Sequence, residues 1–364
     1  MSESLESERP LRIKQYLDLA VHRGASDIHF VSGRAPILRL QGELIPFNEF
    51  APLTHEELKE VIFEMLNDRQ KKIFEETYEI DYSYRGLKQY YFRINVHMDK
   101  GSIGATIRIM PGLTTSLESL GLPEVVKDLT RRRSGLILLV GRAGMGKTTT
   151  MTHMVQQINE ERAAKIVTVE DPIEFVYEAK RSVIVQREVG IDTLTFAAGL
   201  KYALRQDPDV VVIGEMRDLE SISMALTTAE TGHLVFGTLH SSDAIEAINR
   251  IIDVYPGEKQ NQIRVQLAEN LLAVIGQQLL PRKQSDKRIL ATEVVISTLA
   301  IRNMIRRNSL AEIRGQMETG REGMFTTEQC LSALVKRGLI TEEVALSHAK
   351  YPQMLDLRPP LKSS

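Results

Sequence analysis

A single cysteine, Cys330, stands in a chain of 364 residues that has no tryptophan and only 5% aromatic residues. One cysteine cannot close an intramolecular disulfide or build a Cys-rich zinc site. Charge of one sign is lacking too, since 46 Lys+Arg oppose 48 Asp+Glu for a formal net charge of -2. That balance gives no global field for nucleic acid or an anionic bilayer and leaves only local basic patches for such partners. Long apolar runs are missing as well. The strongest, 136–140 and 210–213, fall far short of the roughly 18 residues that suggest a membrane span. The N-terminal MSESLESERPLRIKQ is polar and acidic and lacks the apolar stretch of a signal peptide. A soluble, cytoplasmic protein is expected, reaching a membrane only through partners. The length and the 43% hydrophobic content fit an ordinary globular chain of two to three domains.

The texture changes twice along the chain. Up to about residue 110 the pattern is α+β: a helical stretch over 11–23, short strands over 27–31 and 37–40, then one helical segment from Thr54 to about Glu76. Thr54 with Glu57 three residues on has capping-box spacing. Alternating segments at 80–84, 90–96 and 105–109 follow, with turn signals at Arg85-Gly86 and Lys100-Gly101. Pro111-Gly112 and a Thr/Ser-rich stretch mark the boundary. From about residue 120, fully apolar runs at 136–140, 166–169, 210–213 and 234–238 alternate with helical patterns. Such runs predict a mainly parallel sheet covered on both faces, with ligands off its carboxyl ends. From about Glu258 the pattern reads as mostly helical.

The residues just after each run carry the chemistry. After the first comes Gly141-Arg142-Ala143-Gly144-Met145-Gly146-Lys147-Thr148, with Thr149 following; it matches G-x-x-x-x-G-K-[ST]. Its glycines let backbone N–H groups curl round an anion, and the next helix points its N-terminus at the same anion. Lys147 would then reach the β/γ-phosphates and Thr148 would hold Mg²⁺. After the third run, Gly214-Glu215-Met216-Arg217 puts a carboxylate where it can serve the metal or its water. After the second, Glu170-Asp171-Pro172-Ile173-Glu174 sets three acids in five residues, a charge that Mg²⁺ or basic partners would relieve. His233 and His240 bracket the fourth run and, with no Cys or third His nearby, make a poor zinc site.

In this order the segments resemble those of the type II/IV secretion ATPase superfamily, and within it the PilT-like type IV pilus retraction ATPases. GRAGMGKTTT is similar to the family's Walker A, EDPIEF to its Asp box, DPDVVVIGEMRDLE to its Walker B and TGHLVFGTLH to its His box. ASDIHF and AIRNMIRR resemble two further family signatures, and the likeness runs from about residue 11 to 350. The resemblance implies a RecA-like P-loop ATPase domain with a smaller PAS-like α+β N-terminal domain, divided as 1–111, a linker over 112–120, and 121–364 with a helical C-terminal region.

It further implies a homo-hexamer with ATP and Mg²⁺ between protomers. Catalytic carboxylates would be Glu174, the water-activating base, and Glu215, on the Mg²⁺ side with Thr148. Arg93, Arg108, Arg217, His233 and His240 would be sensor or interface residues. The implied function is ATP-driven pilus retraction and twitching motility. Implied partners are an inner-membrane platform protein and a paralogous retraction ATPase, with no specific nucleic acid and a peripheral place at the inner membrane. An accessory, ATP-binding paralogue and a nucleic-acid translocase are the alternatives. Where the family usually has Gly-Pro-Thr-Gly-Ser-Gly-Lys-Ser, this chain carries Arg142, Ala143, Met145 and Thr148. One cysteine and about 110 residues ahead of the ATPase domain argue against the zinc-bearing extension and secretion relatives.

Overall fold

The computed structural model describes residues 12–87, 90–110, 117–283 and 285–357. They fall into two compact units. The first takes the residues up to Met110 together with Pro172–Val176; the second takes the rest. The predicted boundary at Pro111-Gly112 lies outside the described residues, as does most of the 112–120 linker, of which Leu117–Leu120 forms a 3-10 turn.

The first unit is built on a six-stranded antiparallel sheet. Its strands are β1 (Asp27–Phe30), β2 (Ile37–Leu40), β3 (Glu43–Pro46), β4 (Glu79–Leu87), β5 (Tyr90–Asp99) and β6 (Ser102–Met110), in the order β3-β2-β1-β6-β5-β4. Period-two alternation on β5 buries Phe92, Ile94 and Val96, which join Leu17, Ile28 and Ile107 in one apolar cluster. Helices Arg12–His22, His55–Phe63 and Asp68–Thr77 add Ile13, Leu58 and Phe74, among others, to that cluster. The capping box of Thr54 and Glu57 is formed.

Two expectations need correction here. The single helix over 54–76 is two, because Asn67 and Gln70 form a second capping box that restarts the helix at Asp68. Arg85-Gly86 is not a turn: β4 runs on to Leu87 with a register shift at that point, a bulge absorbing one residue.

The second unit carries a seven-stranded sheet. Its strands are β7 (Gly135–Val140), β8 (Lys165–Glu170), β9 (Val183–Glu188), β10 (Val210–Ile213), β11 (Leu234–Leu239), β12 (Leu271–Arg282) and β13 (Ser285–Ile296), ordered β13-β12-β7-β11-β10-β8-β9. Every neighbouring pair is parallel except β12 with β13. β7 and β11 are buried at each residue, as expected of central strands covered on both faces. The helix Ala244–Asp253 shows how the cover is made: Asp243 caps it, and Ala244, Ala247, Ile248, Ile251 and Ile252 form one buried stripe at helical spacing.

The mostly helical reading beyond Glu258 holds only in part. A helix does span Gly257–Asn270 and others follow Ile296, but β12 and β13 lie between them. LLAVI, residues 271–275, is a short all-apolar run, and periodicity does not separate a doubly buried strand from a buried helix. Among the described residues, no helix is long and apolar enough to cross a membrane.

Candidate active site

Three chain reversals at neighbouring carboxyl ends, those of β7, β11 and β10, assemble the site within the second unit. The first is the glycine loop. Gly141 leaves β7 at φ 151°, and a Cβ there would lie 2.6 Å from the backbone oxygen of Gln277 on β12. Gly146 caps the helix Lys147–Glu161 at φ 84°, in the left-handed region. Only glycine suits both places. Arg142, Ala143, Gly144 and Thr149 are exposed, and Thr148 is half-buried in the first helical turn.

Met145 has its own partner. β12 outruns β7 in the ladder, which stops at Gly276 opposite Val140, and beyond that point the Leu279 N–H donates to Met145 Sδ at 3.3 Å. The residue that departs from the family pattern thus ties the loop to the adjacent strand. Gln277 Nε2 adds a 2.7 Å hydrogen bond to Thr150 Oγ1 on the helix.

Lys147 is buried, and its ammonium donates to the carbonyl oxygens of Gly141 (2.8 Å) and Arg142 (3.0 Å). It also lies 3.4 Å from His240 Nδ1. An ammonium can only donate, so Nδ1 accepts and the ring proton sits on Nε2. That nitrogen is 3.2 Å from Glu215 Oε1, while Arg217 Nη2 lies 2.7 Å from Glu215 Oε2. Lys147, His240, Glu215 and Arg217 therefore form one chain of polar contacts. Burial pushes the Glu215 carboxyl up. The Arg217 hydrogen bond and the charges of Arg217 and Lys147 outweigh burial and hold it below its ordinary value.

The other residues singled out in the sequence go elsewhere. Glu170, at the end of β8, is buried and accepts from Thr168 Oγ1 (2.6 Å) and Gln186 Nε2 (3.1 Å). Glu174 falls in Pro172–Val176, which belongs with the first unit, where Ser83 Oγ donates to the Ile173 carbonyl at 3.2 Å. Arg93 and Arg108 are directly opposed on β5 and β6. Like charges facing across strands repel. Arg108 is relieved by Asp27 of the ASDIHF segment, at 3.0 Å from its Nε. Asp27 is nearly buried, yet Ser26 and Arg108 hold its carboxyl below its ordinary value against that burial.

His233 and His240 do not meet. His233 lies at the amino end of β11, its Nδ1 3.0 Å from both the Thr228 carbonyl and Thr231 Oγ1. Six residues of strand, about 20 Å at ~3.3 Å per residue, separate it from the glycine-loop end of the sheet.

Sequence reading missed Thr238 and Arg250. Thr238 Oγ1 donates to the Gly214 carbonyl at 2.6 Å, and Arg250 Nη1 donates to the His240 carbonyl. Thr238 sat inside a quoted segment, but nothing in its spacing shows which carbonyl it would meet.

The chain is similar to known proteins over most of its length. A family model described as type II/IV secretion system protein matches residues 48–357. The type IV pilus retraction ATPase PilT of Pseudomonas aeruginosa is 42% identical over 94% of this chain and 99% of that protein. The type IV pilus ATPase PilU of the same organism is 35% identical over 93% and 89%. A crystal structure of the pilus retraction motor PilT with bound ADP superposes with a TM-score of 0.88, at 41% identity, covering 96% of this chain and all of that one. With its glycine loop, strand-end carboxylate and sheet order in place, the chain belongs to the type II/IV secretion system protein family, on its PilT-like side.

Proposed function

We propose that the protein is the ATP-hydrolysing motor of type IV pilus retraction, working as a hexamer at the inner-membrane pilus platform. The observation that supports it most is the Lys147–His240–Glu215–Arg217 chain at the mouth of the glycine loop. Lys147 already spends its donors on two loop carbonyls and an imidazole, so an incoming phosphate competes for an ammonium held at the right place. Once Lys147 turns to the phosphates, His240 loses one neighbour and keeps the other, which passes nucleotide occupancy to Glu215. This is a differential contact of the kind a conformational switch requires.

Hard oxygen donors, the Thr148 hydroxyl and the Glu215 carboxylate, suit Mg²⁺. Mg²⁺ would neutralise charge on the β- and γ-phosphate oxygens. Glu215, kept ionised by Arg217, would help hold the metal, which when bound supplies charge neutralisation. Glu174 acts as the base for the attacking water, and Arg93, Arg108 and Arg217 read the phosphate across a closing protomer interface. His233, remote from the loop within the chain, serves at that interface rather than at the phosphates. The higher identity to PilT than to PilU favours the principal motor over the accessory paralogue.

Phosphate release by purified protein tests this. E215Q and E174Q are expected to abolish steady-state turnover while sparing binding of an ATP analogue. Full turnover in both variants refutes the assignment.

A further inference from the structure

We propose that Thr238 is a positioning residue for Glu215, setting the carboxylate from the neighbouring strand. This rests on the reading of Glu215 given above. Glu215 lies past the end of β10, where no ladder pairing continues to fix it: the β10–β11 register ends at Ile213 opposite Gly237. Thr238 takes over at that point. Its hydroxyl donates to the carbonyl of Gly214 at 2.6 Å, and its own carbonyl accepts the Met216 N–H at 3.0 Å. One residue therefore pins the backbone on both sides of Glu215.

Its neighbours act in the same sense. A Cβ on Gly237 would lie 2.9 Å from Met216 Sδ, so glycine there lets Met216 pack against β11. His240, two residues on, reaches the carboxylate itself. The carboxyl end of β11 thus clasps 214–216 at the two flanking peptides, at the Met216 side chain and at the carboxylate. Thr238 is 3% exposed, and its hydroxyl bonds to Gly214 rather than to the loop glycines or Lys147. Its hydroxyl acts through Gly214. A carboxylate serving metal or water must be held closely, because a displacement of about 1 Å costs on the order of 10²-fold in rate.

The test compares T238V, T238A and T238S with wild type and E215Q, reading kcat and KM for ATP, binding of a non-hydrolysable ATP analogue and the thermal midpoint. We expect kcat to fall about tenfold or more in T238V and T238A, with KM and analogue affinity within about twofold, and T238S to restore most of the rate. If T238V fails to fold, the Ala and Ser pair decides the matter, since one lacks the hydroxyl and the other keeps it. Wild-type kcat in the hydroxyl-less variants, a loss seen only in KM, or failure of Ser to rescue overturns the proposal. The two claims fail separately. An inactive E215Q beside a fully active T238A sinks only Thr238, whereas a fully active E215Q sinks the reading of Glu215 itself.

Discussion

Glu215 shows how a single carboxylate is tuned by what surrounds it. With its side chain 18% exposed, it would resist ionisation if it were alone; Arg217 on one oxygen and His240 on the other reverse that. A carboxyl whose folded value is lowered contributes stability in full above its unfolded value of about 4.3 and loses it as pH falls through the folded value. The stability difference between wild type and E215Q, read by urea unfolding, should therefore be level above about pH 5 and shrink in more acid solution. Removing the guanidinium acts on the same group. R217A should move the acid limb of the kcat–pH profile to higher pH, and an unmoved limb would show that Arg217 does not hold Glu215 ionised.

Residue chemistry that follows from local spacing was readable. The glycine loop is such a case, because its glycines lie in one short string and Lys147 and Thr148 follow at fixed offsets. Contacts made across strands were not. Thr238 meets Gly214 because of the β10–β11 register, and Met145 meets Leu279 because β12 outruns β7. Neither length nor register is written in any one segment. His233 and His240 bracket a strand, which places them at opposite ends of it rather than together.

At the scale of elements, β12 is the strand the sequence concealed and the one on which the loop leans. G141A would drive a Cβ to 2.6 Å from the Gln277 backbone oxygen, in a conformation that side chains avoid. It should weaken binding of an ATP analogue by at least about tenfold, or ~1.4 kcal/mol, by titration calorimetry. Beyond β13 the C-terminal helices are joined by a buried acid. Glu328, 1% exposed on Thr327–Lys336, pairs with Arg314 Nη2 at 2.7 Å and accepts the Tyr351 N–H at 3.0 Å, with Arg314 stacked 4.0 Å over the Tyr351 ring. E328A leaves that amide without its acceptor, while Arg314 keeps Glu318 at 3.2 Å. A loss of about 2 kcal/mol in urea unfolding is expected, with turnover per folded molecule little changed. The element that sequence patterning failed to divide, 54–76, carried its own signal: Asn67 and Gln70 have the same spacing as Thr54 and Glu57.

At the scale of the whole molecule, balanced charge fits a motor that passes force to protein partners and keeps its arginines for local use. Within the single chain Arg217 pairs with Glu215 and Arg108 with Asp27. The assignment of Pro172–Val176 to the first unit was not legible, since chain order put it with the second. The measurement that bears most directly on the central claim is deletion of the gene in its host, with complementation by wild type and by E215Q, scored for surface pili and twitching. Hyperpiliated, non-twitching cells, restored by wild type and not by E215Q, are the expected result. Bald cells, or full rescue by E215Q, would contradict an ATP-driven retraction motor.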